Sequence, residues 1–188
     1  MRDIQKLDFM VKLSELLDTV NDWLKFAEAK NGVLVASSGL AIWAIVRIVA
    51  SETLGCWVIA YLSQLALFLT VALVLALISF LPVTRYSIIV PTTRGVAKPN
   101  LVYFGYLATL HPASLIQEYM TATGIQESDL KPIDNMYAEQ IIANSRIAVA
   151  KFSMFKVGVY CAIFGVLTPF FGGVLIFIVS RWKQVDGF

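Results

Sequence analysis

The chain has 188 residues, 58% of them apolar, with a formal net charge of +2 and a mean hydropathy of +0.73. Soluble domains are about 45–50% apolar, and the excess here gathers in three runs, 33–50, 56–83 and 157–180. An ordinary soluble domain is excluded, and the small net charge offers nothing to a nucleic-acid partner.

In the first segment, Met10, Leu13, Leu17, Val20, Leu24 and Ala27 recur at spacings of three and four. That is the a/d seam of helices that wrap around one another. The seam fits two arrangements, self-association or packing on the chain's own middle helix. Its phase continues through Asn31 and Leu34, so the helix is expected to run on into the first apolar run. No short apolar stretch with a small-residue cleavage site precedes that run, so it is expected to stay in place as an anchor.

A bilayer core about 30 Å thick takes roughly 20 helical residues to cross, and each run approaches or exceeds that length. Runs 56–83 and 157–180 contain no Asp, Glu, Lys, Arg or His. A charge at mid-bilayer costs about 2.5–3.5 kcal/mol on insertion scales, so these gaps are informative. Arg47, late in the first run, is expected to snorkel toward the interface and meet Glu52, with a pore-facing role as the alternative. The third run contains Thr168-Pro169 and Gly172-Gly173. A kink at Pro169 is expected there, in preference to a re-entrant hairpin with arms too short to cross.

From the end of the second run onward, Pro82, Pro91, Gly95, Pro99, Gly105 and Pro112 punctuate the chain, predicting loops and short elements. Pro112 suits the first turn of a helix over 113–123, with Gly124 as its stop and His111 near its start. Asp134 is placed to cap a longer helix from Asn135 that continues into the third run. Tyr137, Asn144 and Lys151 stand seven apart on one face. Beside them, Ala138, Ile141, Ser145, Ala148, Phe152 and Phe155 form a stripe that reads as a packing face.

Positive charge sets the topology. Arg2, Lys6, Lys12, Lys25 and Lys30 precede the first run; Arg85, Arg94, Lys98, Lys131, Arg146, Lys151 and Lys156 lie between the second and third. The turn 51–55 has none, and Arg181 and Lys183 follow the last run. By the positive-inside rule, the N-terminus and the middle segment face the cytoplasm. Cys56 and Cys161 lack metal-ligand spacing and read as buried thiols. Phosphate-loop, zinc-protease and nucleophile-elbow motifs are all missing, so no enzyme, catalytic residue, metal or cofactor is expected.

The expected fold is an all-α membrane protein with three transmembrane helices, the third kinked at Pro169, and a small helical cytoplasmic domain. Its segments are a cytoplasmic amphipathic helix at 1–32, a transmembrane hairpin at 33–83, a cytoplasmic helical segment at 84–156, a third span at 157–180 and a tail at 181–188.

Four stretches share a familiar order. They are Phe26-Ala27-Glu28-Ala29-Lys30-Asn31-Gly32 leading into a span, Val102-Tyr103-Phe104-Gly105, Gln117-Glu118-Tyr119, and Gln140 with Asn144-Ser145 and Lys151 leading into the last span. Together they resemble the transmembrane effector family of Pycsar antiphage systems. Its members run from a short helix ending in Ala-Asp-x-Lys through two spans, a Tyr-Phe-Gly element and an Asn-Ser-x-Lys-type helix to a final span. Glu28 departs from that pattern, where Asp is expected, and moves the carboxylate by one methylene.

The resemblance implies a homo-oligomeric protein of the bacterial inner membrane. It would impair that membrane in response to a cyclic pyrimidine nucleotide, cCMP or cUMP, made by a partner cyclase. An anionic nucleotide wants a cation and a stacking ring, and Lys30, Tyr103, Phe104, Tyr119, Asn144 and Lys151 are the candidates. Glu28, Asn31, Gly32, Gly105 and Ser145 complete the motifs as structural positions. Lys30 and Lys151 equally suit anchoring to lipid phosphate. The other reading is a non-gated oligomeric scaffold or sensor that anchors a separate cytoplasmic effector.

Overall fold

The computed structural model describes the backbone of residues 2–81, 100–124, 126 and 130–185, and the side chains of these except 2–11, 170 and 173–185. The Met10 side chain, Pro82, Pro91, Gly95, Pro99 and the basic residues Arg85, Arg94 and Lys98 lie outside that set, as do the side chains of Arg181 and Lys183. The described residues form five helices and no strand: α1 (Arg2–Ser51), α2 (Cys56–Ile78), α3 (Phe104–Leu107), α4 (Pro112–Thr123) and α5 (Pro132–Val185). They divide into two units, one of Met1–Lys30 with Leu81–Ser153, the other of Asn31–Phe80 with Met154–Phe188.

The seam of α1 chooses between its two partners in the first unit. Leu13, Leu16 and Val20 are buried against Leu107 of α3, Leu115 and Ile116 of α4, and Ala138, Ile141 and Ile142 of α5. Each large aliphatic side chain buried this way contributes about 1.5–3 kcal/mol. The seam therefore packs on the chain's own helices. Arg146 ties the elements together, donating from Nε to the Ala108 carbonyl at 3.0 Å and from a terminal nitrogen to the Leu110 carbonyl at 3.1 Å. Tyr106 of α3 donates to the Glu118 carboxylate of α4 at 2.8 Å.

Helix α4 begins and ends as its sequence requires. Pro112 occupies the first turn, where a missing N–H costs nothing. His111 takes the extended cap position, its carbonyl accepting from Leu115 N at 3.0 Å, with no cap bond from its imidazole. Gly124 closes the helix at φ 72°, a left-handed conformation that a Cβ disfavours.

Helix α5 corrects the expectation at its start. It begins at Pro132 rather than Asn135, and Asp134 lies inside it. The Asp134 carboxylate reaches back to accept from Lys131 N at 2.8 Å. An acid in the third helical position satisfying the cap residue's N–H is half of a capping box. α5 then stays helical through Pro169 to Val185, which rules out the re-entrant hairpin.

In the second unit Leu34 packs with Ala72 and Ala76 of α2, edged by Val35, Phe155, Val159 and Cys161. Close approach here needs glycine. A Cβ on Gly158 would meet Leu34 Cδ2 at 2.7 Å and the Ala72 carbonyl at 3.4 Å; one on Gly165 would meet Phe68 Cβ at 3.0 Å. Small residues let backbones approach where lipid supplies no hydrophobic drive. Gln64 adds a polar contact, donating to Thr168 Oγ1 at 2.7 Å.

Among the described residues, three helices are long and apolar enough to cross a membrane. α2 ends at Ile78, with Ser79 as its cap, so its described helix is five residues shorter than the run 56–83. The cysteines are free: Cys161 is partly buried, but Cys56 is exposed at the start of α2, against the expectation of a buried thiol.

Candidate functional site

The first unit gathers rings from three elements. α1 presents Trp23, Phe26 and Lys30 at spacings of three and four, one face of a helix. Phe104 opens α3 and Phe152 lies on α5. Phe104 and Phe152 stack with centroids 5.3 Å apart and planes at 27°. Trp23 lies 5.4 Å from Phe104, and Phe26 lies 6.2 Å from Phe152. Phe104 is buried at the centre of the group, whereas Trp23, Phe26 and Tyr103 are exposed at its edge.

One lysine borders these rings and a second lies next to Phe152 in the chain. Lys30 Nζ stands 4.6 Å from the centroid of Phe26 and 5.8 Å from that of Phe152, both within cation–π range. Lys151, adjacent to Phe152, is 8% exposed, and its Nζ lies 3.0 Å from Glu28 Oε1. The Glu28 carboxylate therefore reaches Lys151 despite the longer side chain.

Tyr103 caps α3 with its ring 5.0 Å from Phe104. A Cβ on Gly105 would strike that ring at 2.5 Å, so the glycine is what lets Tyr103 fold back. Asn144 sits two turns before Lys151 and is held from both sides: it donates to Asn21 Oδ1 at 2.7 Å and accepts from Gln140 Nε2 at 2.9 Å. Ser145 is wholly buried, and its hydroxyl has no hydrogen-bond partner among the described residues. Asn31 is buried where α1 enters the second unit, and Gly32 follows it.

Of the six candidates, Lys30, Tyr103 and Phe104 meet in one aromatic group, and Lys151 pairs with Glu28, two residues from Phe26. Asn144 belongs to a neighbouring amide chain on the same α5 face. Tyr119 packs on the rim of the apolar core. Sequence reading passed over Trp23, Phe26, Phe152 and Asn21 as members. The helical spacing of Trp23, Phe26 and Lys30 was the available signal for the first two.

A half-exposed set of ring faces beside a lysine can stack a planar heterocycle and neutralise an attached anion. Among the described residues no cluster of His, Cys, Asp or Glu suits a metal ion.

The model of the Pycsar effector protein domain matches residues 12–179. The chain belongs to the Pycsar effector family. Pycsar effectors of this transmembrane kind are membrane effectors of antiphage defence rather than members of a known enzyme family, and they work in a cyclic-nucleotide signalling context. With its three apolar helices, this Pycsar effector is a multi-pass membrane protein. No curated protein and no solved structure matches the chain.

Proposed function

We propose that this Pycsar effector impairs the bacterial inner membrane when its first unit binds a cyclic pyrimidine nucleotide, cCMP or cUMP, supplied by a partner cyclase. The observation that carries this reading is the ring cluster of Trp23, Phe26, Phe104 and Phe152 with Lys30 at its edge. A pyrimidine ring finds faces to stack on, worth about 1–3 kcal/mol per base. The cyclic phosphate finds Lys30 and, on displacing Glu28, Lys151.

Transmission follows from chain connectivity. α1 and α5 each contribute residues to both units without a break in the helix. A nucleotide acts on the membrane segments only by binding one conformation more tightly than another. The basic residues flanking the spans support a cytoplasmic N-terminus and middle segment, the compartment in which such a nucleotide is made. Assembly into a homo-oligomer supplies the membrane lesion that three helices alone cannot enclose.

The test is purified protein in dye-loaded vesicles, with cCMP or cUMP added on the side of the first unit. Dye release with either nucleotide, and none with cAMP, is the expected result. Silence with both pyrimidine nucleotides, together with no heat of binding, overturns the proposal.

A further inference from the structure

Arg47 is the only charged residue of α1 beyond Lys30. It is exposed, four residues before the helix ends at Ser51. Glu52 comes next in the chain, yet Arg47 has no ion-pair partner among the described residues, so the pairing expected from sequence does not form. Trp43 lies one turn earlier on the same face and is 62% exposed; Trp57, second residue of α2, is 90% exposed. All three belong to the second unit.

A guanidinium among apolar side chains in hydrocarbon costs several kcal/mol unless an anion meets it. The Cα–Cβ bond of a helical residue tilts toward the helix N-terminus, so the Arg47 side chain starts over the apolar run rather than past Ser51. An anion at the interface meets it there. A phosphodiester does so well, because the guanidinium fork accepts two of its oxygens at once. Indole rings settle where one edge is wet and the other apolar, the depth at which phospholipid phosphates and glycerol esters lie.

We infer that Trp43, Arg47 and Trp57 form a binding surface for the phosphate group of a membrane phospholipid. Arg47 holds the phosphate, and the two indoles set its depth. A lipid drawn inward in this way thins the leaflet beside the α1–α2 turn. The inference is independent of the nucleotide reading.

Native mass spectrometry of the full chain, taken through detergent exchange with phosphatidylglycerol or a phosphate-free galactolipid, tests it. The wild type retains phosphatidylglycerol and loses the galactolipid. Arg47→Leu loses the retained phospholipid, Arg47→Lys keeps it weakly, and both preserve helicity by circular dichroism. If Arg47→Leu fails to insert, Arg47→Gln carries the same comparison. Equal retention by the wild type and the neutral variant, or equal retention of galactolipid, overturns the inference. So does a loss of oligomer with lipid retention unchanged, which would assign the face to a second copy.

Discussion

Lys151 Nζ and Glu28 Oε1 lie 3.0 Å apart, with the lysine side chain 10% exposed and the glutamate 44%. The ion pair is thus lopsided. Its cation is enclosed and its anion is reached by water, so removing the two partners has different consequences.

Glu28→Gln keeps a hydrogen-bond acceptor but removes the carboxylate charge beside the enclosed ammonium. Lys151→Met fills the same space and leaves a carboxylate that water can solvate. Breaking a fully buried pair costs about 3–5 kcal/mol; screening at the open glutamate lowers that to about 1–2 kcal/mol here. Thermal unfolding in detergent should place Glu28→Gln below Lys151→Met, both below the wild type.

Phe26 and Lys30 form the accessible edge of the ring cluster, so substitutions there test the proposed nucleotide binding apart from folding. On the proposed function, Phe26→Ala should lower affinity for cCMP or cUMP about tenfold, in keeping with about 1–3 kcal/mol per stacked base. Its exposure keeps the unfolding midpoint nearly unchanged. Lys30→Ala should weaken binding further at low salt than at high salt. Calorimetric titration at two ionic strengths checks both.

At Gly158 the first atom a Cβ meets is the tip of Leu34, which can move, and the next is the Ala72 backbone, which cannot. Gly158→Ala should therefore be close to neutral, the helix-propensity gain of about 1 kcal/mol offsetting the displacement of Leu34. Gly158→Ile should lose about 1–3 kcal/mol through overpacking. Detergent unfolding curves for the two variants test this ordering.

Two substitutions in the first unit should move stability in opposite directions. Gly124→Ala puts a Cβ at φ 72° and should cost about 1 kcal/mol. Ser145→Ala removes a buried hydroxyl with no hydrogen-bond partner among the described residues and should be neutral or stabilising by up to about 1 kcal/mol. Chemical denaturation reads both.

Tyr106 gives a pH signature. Its hydrogen bond to the Glu118 carboxylate, aided by burial and by the carboxylate's charge, pushes the phenol above its usual 10.0. The folded state thus holds the proton more tightly than the unfolded state. This contribution is complete below about pH 10 and is lost as pH rises through the raised value. Between roughly pH 9 and 11, around the ordinary tyrosine value, the wild-type unfolding midpoint should fall more steeply than that of Tyr106→Phe.

Legibility followed locality. The start of α4 at Pro112 and its stop at Gly124 were readable because proline and glycine act through their own backbone angles. The start of α5 was misread because Asp134 serves equally well as a cap or as an acid three residues inside. The seam from Leu13 to Ala27 announced an apolar face but not its cover. The aromatic cluster was legible only in part: Trp23, Phe26 and Lys30 share a helical spacing, whereas Phe104 and Phe152 join them from distant elements.

The order of amino acids alone settled that this is a helical membrane protein with three stretches apolar enough to span lipid. Transfer from water to hydrocarbon is a sum over neighbouring residues and needs no knowledge of the fold. Folding settled the rest: the seam of α1 lies on α3, α4 and α5, Glu28 meets Lys151, Gln64 meets Thr168, and Tyr119 packs against the apolar core. Such pairings depend on which helix faces meet and how side chains share the space between them, and spacing along one strand of sequence carries no measure of that.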